Sequence, residues 1–132
     1  INKTKITALF LNNYTVDNLI LNKTKEELKN ELEKNILNVF VVSKILCEIM
    51  VDNNFGRLIY FSSSRGLNSD IGISGYSISK NGLQGLMKSF SKEFSRYNIT
   101  SNCLSLGFFK SPLFRKIRPD MKKKMLSRLV IY

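Results

Sequence analysis

The sequence predicts an α/β fold, an open parallel sheet of about three strands joined by helical crossovers. Ile6 to Leu11, Gly56 to Phe61 and Ile99 to Leu106 are short runs rich in apolar and β-branched residues, each bounded by turn-forming residues. Between successive runs lies a long segment with apolar residues at helical spacing, which is the length a parallel crossover needs. Both crossovers are expected to be right-handed. If the strands lie side by side in chain order, both helices fall on one face, and the other face and the edge of the first strand are left uncovered. With 132 residues, 43% of them hydrophobic, the chain can bury one core, so a single domain over 1–132 is expected.

The first crossover helix begins at Thr24. Thr24-Lys25-Glu26-Glu27 fits a capping box, in which the hydroxyl and the carboxylate satisfy orphan amides at the helix start. Leu28, Leu32, Ile36, Val39, Ile45, Leu46 and Ile49 recur at intervals of three and four, predicting one helix over 24–50 with that stripe buried. Asn35 lies inside the stripe. A short amide competes for backbone hydrogen bonds there and is a mediocre helix former, so its presence asks for a reason.

Asp52-Asn53-Asn54 breaks this helix, and the second strand follows. Residues 62–74 are expected to be a loop. A second helix over 74–96 carries an apolar stripe of Leu83, Met87, Phe90 and Phe94. Gly82 and Gly85 each cost it about 1 kcal/mol relative to alanine, which close approach of another backbone would justify. The third strand stops at Gly107. Phe108 to Phe114 is an aromatic loop suited to an apolar substrate, and Pro119 to Leu129 reads as a short basic helix.

Composition narrows the chemistry. There is no histidine, which removes histidine-based triads, and Cys47 and Cys103 have no CxxC spacing, so they read as reduced buried thiols and no metal site is expected. No run of eighteen apolar residues occurs, and no leader pattern opens the chain; a cytoplasmic location and no membrane partner are expected. The net charge is +11, concentrated after Phe114, where seven basic residues face Asp120 alone. The Lys122 to Lys124 cluster lacks interleaved stacking aromatics, so no nucleic-acid partner is expected.

The remaining candidates lie in the stretch FSSSRGLNSDIGISGYSISK, Phe61 to Lys80. Tyr76 and Lys80 are i and i+4, which puts both side chains on one helix face. A phenol with a reference pKa near ~10 exchanges protons poorly at neutral pH unless a nearby cation stabilises the phenolate, and Lys80 supplies one. Ser63, brought back by the intervening segment, can hydrogen-bond the oxygen whose proton Tyr76 exchanges.

A strand ending in serines, a YxxxK helix and a further strand ending at a glycine together resemble the short-chain dehydrogenase/reductase family, over about Ile6 to Leu129. The resemblance implies a truncated Rossmann-like sheet whose first βαβ half and last strand lie outside this sequence. It implies an NAD(P)-dependent oxidoreductase that reduces a carbonyl to a secondary alcohol, with NADP or NAD not distinguished. By the same resemblance Tyr76 protonates the substrate oxygen, Lys80 lowers the Tyr76 pKa and holds the ribose, and Ser63 polarises the carbonyl. Asn35, in the context Asn35-Ile-Leu-Asn-Val39-Phe40, anchors a relay water. Asn12, Asn13 and Gly107 stand at cofactor-binding positions, and Ser111 stands where a hydroxyl residue contacts the nicotinamide amide.

Within the family the sequence is most similar to 3-oxoacyl-acyl carrier protein reductases and related sugar-pathway or polyketide reductases. That implies a small-molecule or carrier-bound substrate, and a homo-oligomer built through helices 24–50 and 74–96. Tyr14 and Leu106 depart from the family pattern, where smaller or turn-forming residues are usual. The start at Ile1, within a few residues of a buried strand, reads as a cut. A non-catalytic interaction module or a gene remnant is therefore the alternative.

Overall fold

In the computed structural model, residues 4–107 and 119–126 are described. Strands β1 (Thr7–Phe10), β2 (Gly56–Ser63) and β3 (Ile99–Leu106) form one parallel sheet in the order β1-β2-β3. Phe10 aligns with Tyr60, and Ser63 aligns with Leu106. Order and direction are those expected.

The Thr24 capping box is present: its hydroxyl accepts from the Glu27 N–H, and the Glu27 carboxylate accepts from the Thr24 N–H. Helix α1 (Lys25–Leu32) then widens into a π turn over Glu33–Leu37 before α2 (Asn38–Asn53). Such turns are rare and cluster at functional sites. This one is centred on Asn35. Asn54, left-handed at φ 50°, ends α2.

The buried stripe differs from the expected one. Glu31, Asn35, Val39, Ser43, Cys47 and Met50 are buried, whereas Ile45 and Ile49 are exposed and only Val39 belongs to both sets. The helix is apolar on more than one side, so periodicity could not choose. The side that faces the sheet is the one the strands complement: Ser43 accepts from the Tyr60 hydroxyl at 3.0 Å, and Met50 lies against Gly56, where a Cβ would overlap its sulfur. Phe40, Val41, Ile45 and Ile49 are left facing outward.

One further expectation is corrected. Residues 62–74 are not all loop, because α3 (Ser64–Asn68) forms directly after β2 with Ser63 as its extended N-cap residue. Within the chain, a Cβ at Gly82 would touch the Ile36 side chain at 3.0 Å, and one at Gly85 would meet nothing within 4 Å.

Helix α4 (Ser74–Phe94) buries Leu83 and Phe90 as expected, with Met87 and Phe94 half-buried. Together with Leu58, Tyr60, Phe10 and Ile99 of the strands, and Val39, Cys47 and Met50 of α2, they form the core on one face of the sheet. Phe10 and Tyr60 stack at 5.1 Å. On the other face Leu9, Leu104 and Leu106 are exposed. Helix α5 (Pro119–Leu126) lies within the expected basic segment; the 108–114 loop and Ser111 lie outside the described residues.

Candidate active site

The site is built at the carboxyl ends of β1 and β2, where open α/β sheets bind ligands. Lys80 is 3% exposed. Its Nζ donates to the backbone carbonyls of Asn12 at 2.6 Å and Phe61 at 2.8 Å. One amine thus ties α4 to both strand ends. Its third N–H has no acceptor among the described residues. Burial lowers the Lys80 pKa from its ordinary value, and the neighbouring Cys103 partly offsets this.

Tyr76, one turn earlier on α4, is half-buried, with Lys80 Nζ 5.5 Å from its ring centroid. Helix α3 seats against the pair. A Cβ on Gly66 would stand 2.8 Å from Lys80 Cβ and 3.0 Å from Tyr76 Cε1, so glycine is required by contact. Ser63 is half-buried three residues before Gly66, at the end of β2. Its neighbours are structural. Ser62 is buried and its hydroxyl donates to the Lys80 carbonyl at 3.2 Å, and the Ser64 hydroxyl donates to the Leu106 carbonyl at 3.3 Å.

Asn35 is buried and its amide is spent on the chain following β1: Oδ1 accepts from the Tyr14 N–H at 3.0 Å and Nδ2 donates to the Tyr14 carbonyl at 2.6 Å. The neighbouring Lys34 carbonyl accepts from Asn12 Nδ2 at 2.8 Å. Asn35 and Asn12 therefore belong to one assembly with Lys80. Asn13 is exposed beside it, and Gly107 is exposed at the end of β3 with open space around its Cα.

Sequence reasoning missed three features: the Asn12 and Phe61 carbonyls that hold Lys80, the contact glycines Gly66 and Gly75, and the buried Lys23–Glu31 pair. Backbone carbonyls leave no mark in a sequence. Glu31 did leave one, a polar residue four positions before Asn35.

A profile of the short chain dehydrogenase family matches residues 4–122. The chain is 34% identical over 115 residues to the 3-oxoacyl-[acyl-carrier-protein] reductase FabG of Buchnera aphidicola subsp. Schizaphis graminum, covering 87% of this chain and 47% of that protein. It is 30% identical, with the same coverage, to FabG of Escherichia coli K12 and to nodulation protein G of Rhizobium sp. N33. The chain thus spans about half the length of the curated relatives it matches.

Among solved structures, it is similar to sorbitol-6-phosphate 2-dehydrogenase SrlD from Erwinia amylovora, with TM-score 0.79 and 26% identity over 89% of this chain and 47% of that one. Acetoin dehydrogenase from Enterobacter cloacae, at TM-score 0.76 and 22% identity over 81% of this chain and 43% of that one, shares the fold. With the strand order, the YxxxK helix and a profile match over most of its length in agreement, the chain belongs to the short-chain dehydrogenase family.

Proposed function

We propose that these residues are the catalytic and substrate-facing part of an NAD(P)-dependent oxidoreductase that interconverts a carbonyl and a secondary alcohol. The observation that carries the reading is the buried Lys80 ammonium, held by two strand-end carbonyls beside the Tyr76 ring. A cation fixed there stabilises a phenolate, so the Tyr76 hydroxyl can give up its proton and regain it. Ser63 donates to the same substrate oxygen and polarises the carbonyl. Asn35, whose amide is committed to Tyr14, fixes the chain after β1 on which Asn12 presents its carbonyl.

The nicotinamide, when bound, supplies the hydride. The residues present fit such a cofactor: Lys80 has an N–H to spare for a ribose hydroxyl, Asn13 is exposed beside it, and Gly107 offers an unobstructed backbone. Ser111 would complete this set at the amide. Either NADP or NAD is compatible with these groups.

For substrate we favour a carrier-bound 3-oxoacyl group, supported by the names of the relatives, over a sugar-pathway carbonyl. The outward stripe of Phe40, Val41, Ile45 and Ile49 supports a homo-oligomer built through α2 and α4. A cytoplasmic location accords with this reading. No helix among the described residues is long and apolar enough to cross a membrane.

The test is carbonyl reduction by the protein carrying these residues, followed by loss of reduced nicotinamide absorbance with 3-oxoacyl thioesters and with keto sugars. Turnover of the thioesters is expected. No turnover with either substrate class, alongside no saturable quenching of nicotinamide fluorescence, contradicts the reading and favours a non-catalytic module.

A further inference from the structure

Lys23 and Glu31 form an ion pair at 2.6 Å with side chains 5% and 0% exposed. Burying such a pair is costly, and well-packed apolar residues of the same volume often do as well or better for stability. Its value here is in what else it holds. Glu31 Oε1 accepts from the Val16 N–H at 2.7 Å, and Lys23 Nζ donates to the Val16 carbonyl at 2.6 Å. Two residues earlier, Asn35 engages both backbone groups of Tyr14. The backbone N–H and carbonyl of both Tyr14 and Val16 are therefore satisfied by side chains, which apolar substitutes could not do.

The same strap is pinned to the entry of α4. Asn18 donates to the Gly72 carbonyl at 2.8 Å and forms a parallel bridge with Ile73. At the first turn of α4 the Glu31 carboxylate fills the space where residue 75 would carry its side chain; a Cβ on Gly75 would overlap Oε2. Residue 75 immediately precedes Tyr76. The carboxylate is thus a stop against which the tyrosine-bearing turn rests, and Lys23 neutralises it where water cannot.

We propose that Glu31, held and neutralised by Lys23, is a positioning residue for Tyr76, setting where the first turn of α4 seats and hence where the phenol lies relative to Gly66 and Lys80. The consequence for turnover rests on the oxidoreductase reading; the geometric claim does not. In that reading a displaced phenol lowers kcat with little change in KM, since the loss falls on proton transfer in the transition state.

The experiment compares the chain with Gly75→Ala and with Gly75→Ala/Glu31→Asp, whose carboxylate is one methylene shorter. In isotope-labelled protein, NOEs from the Tyr76 ring to Gly66 and Lys80 are expected to weaken in Gly75→Ala, while those between Ile59 and Asn102 across β2 and β3 persist. The double variant should restore the ring contacts. If Gly75→Ala does not fold alone, the double variant is expected to fold and show them. Unchanged ring contacts in a folded Gly75→Ala, or a double variant that is unfolded or lacks the contacts, overturns the proposal. In the active protein, kcat should fall by about tenfold or more in Gly75→Ala and recover in the double variant. If the wild type turns over no carbonyl, the oxidoreductase reading fails while the ring contacts still decide the positioning claim.

Discussion

The ammonium of Lys80 donates to the backbone carbonyl of Phe61 at 2.8 Å, and this bond ties the helix bearing Tyr76 to the strand bearing Ser63. A second bond from the same nitrogen reaches Asn12 after β1. One side chain therefore gathers three separate chain segments into one site. It does so at the cost of burying a charge.

That cost gives a pH dependence. In the unfolded chain Lys80 keeps its proton to near 10.5, whereas burial makes the folded chain release it at lower pH. The folded state therefore gains stability as pH rises towards 10.5 and loses it as pH falls through the folded value. Stability of wild type minus that of Lys80→Met, from denaturant unfolding between about pH 8 and about pH 10, should climb with pH. A flat or falling difference contradicts this.

Cys47 acts in the opposite sense. Burial pushes its thiol from 9.0 up to about 11, so its contribution is complete below 9.0 and is lost as pH rises through about 11. Since the thiolate is the nucleophile, alkylation of Cys47 in native buffer should be slow and should track global unfolding. Rapid labelling of the native chain at neutral pH would refute the packing of α2 on the sheet.

Asn35→Ala removes the partners of both Tyr14 backbone groups. A loss of roughly 1–3 kcal/mol in chemical denaturation is expected, with a fall in turnover. Asn35→Leu, which refills the volume, should not recover either. Full stability in Asn35→Leu would show that the amide merely fills space.

Two glycines separate contact from composition. Gly66→Ala drives a methyl into Lys80 and Tyr76 and should cost about 1–3 kcal/mol. Gly85→Ala, in the interior of α4 with nothing within 4 Å of the new Cβ, should instead stabilise by about 0.5–1 kcal/mol. Equal effects of the two substitutions would contradict the placement of α3.

Much of the architecture was legible because its signals are local. Strands came from apolar runs, α4 from the spacing of Leu83 and Phe90, and the α1 start from Thr24 and Glu27. The buried face of α2 was not legible, since a helix apolar on several sides is oriented by what it packs against. Helix α3 is too short to show a period. Tyr76 and Lys80 could be paired from spacing, and Asn35 was flagged by polarity inside a stripe. Glu31 carried a similar flag, but an acidic residue in a Lys- and Glu-rich helix reads as surface until the fold shows Lys23 beside it.

In the proposed reaction the Tyr76 hydroxyl, on a ring 5.5 Å from the Lys80 ammonium, transfers the proton in carbonyl reduction. The most direct measurement is the rate of 3-oxoacyl thioester reduction by the active protein with Tyr76→Phe, which removes one oxygen and keeps the ring against Gly66. The rate is expected to fall by about 100-fold or more with the fold intact. Undiminished turnover in that variant would contradict it.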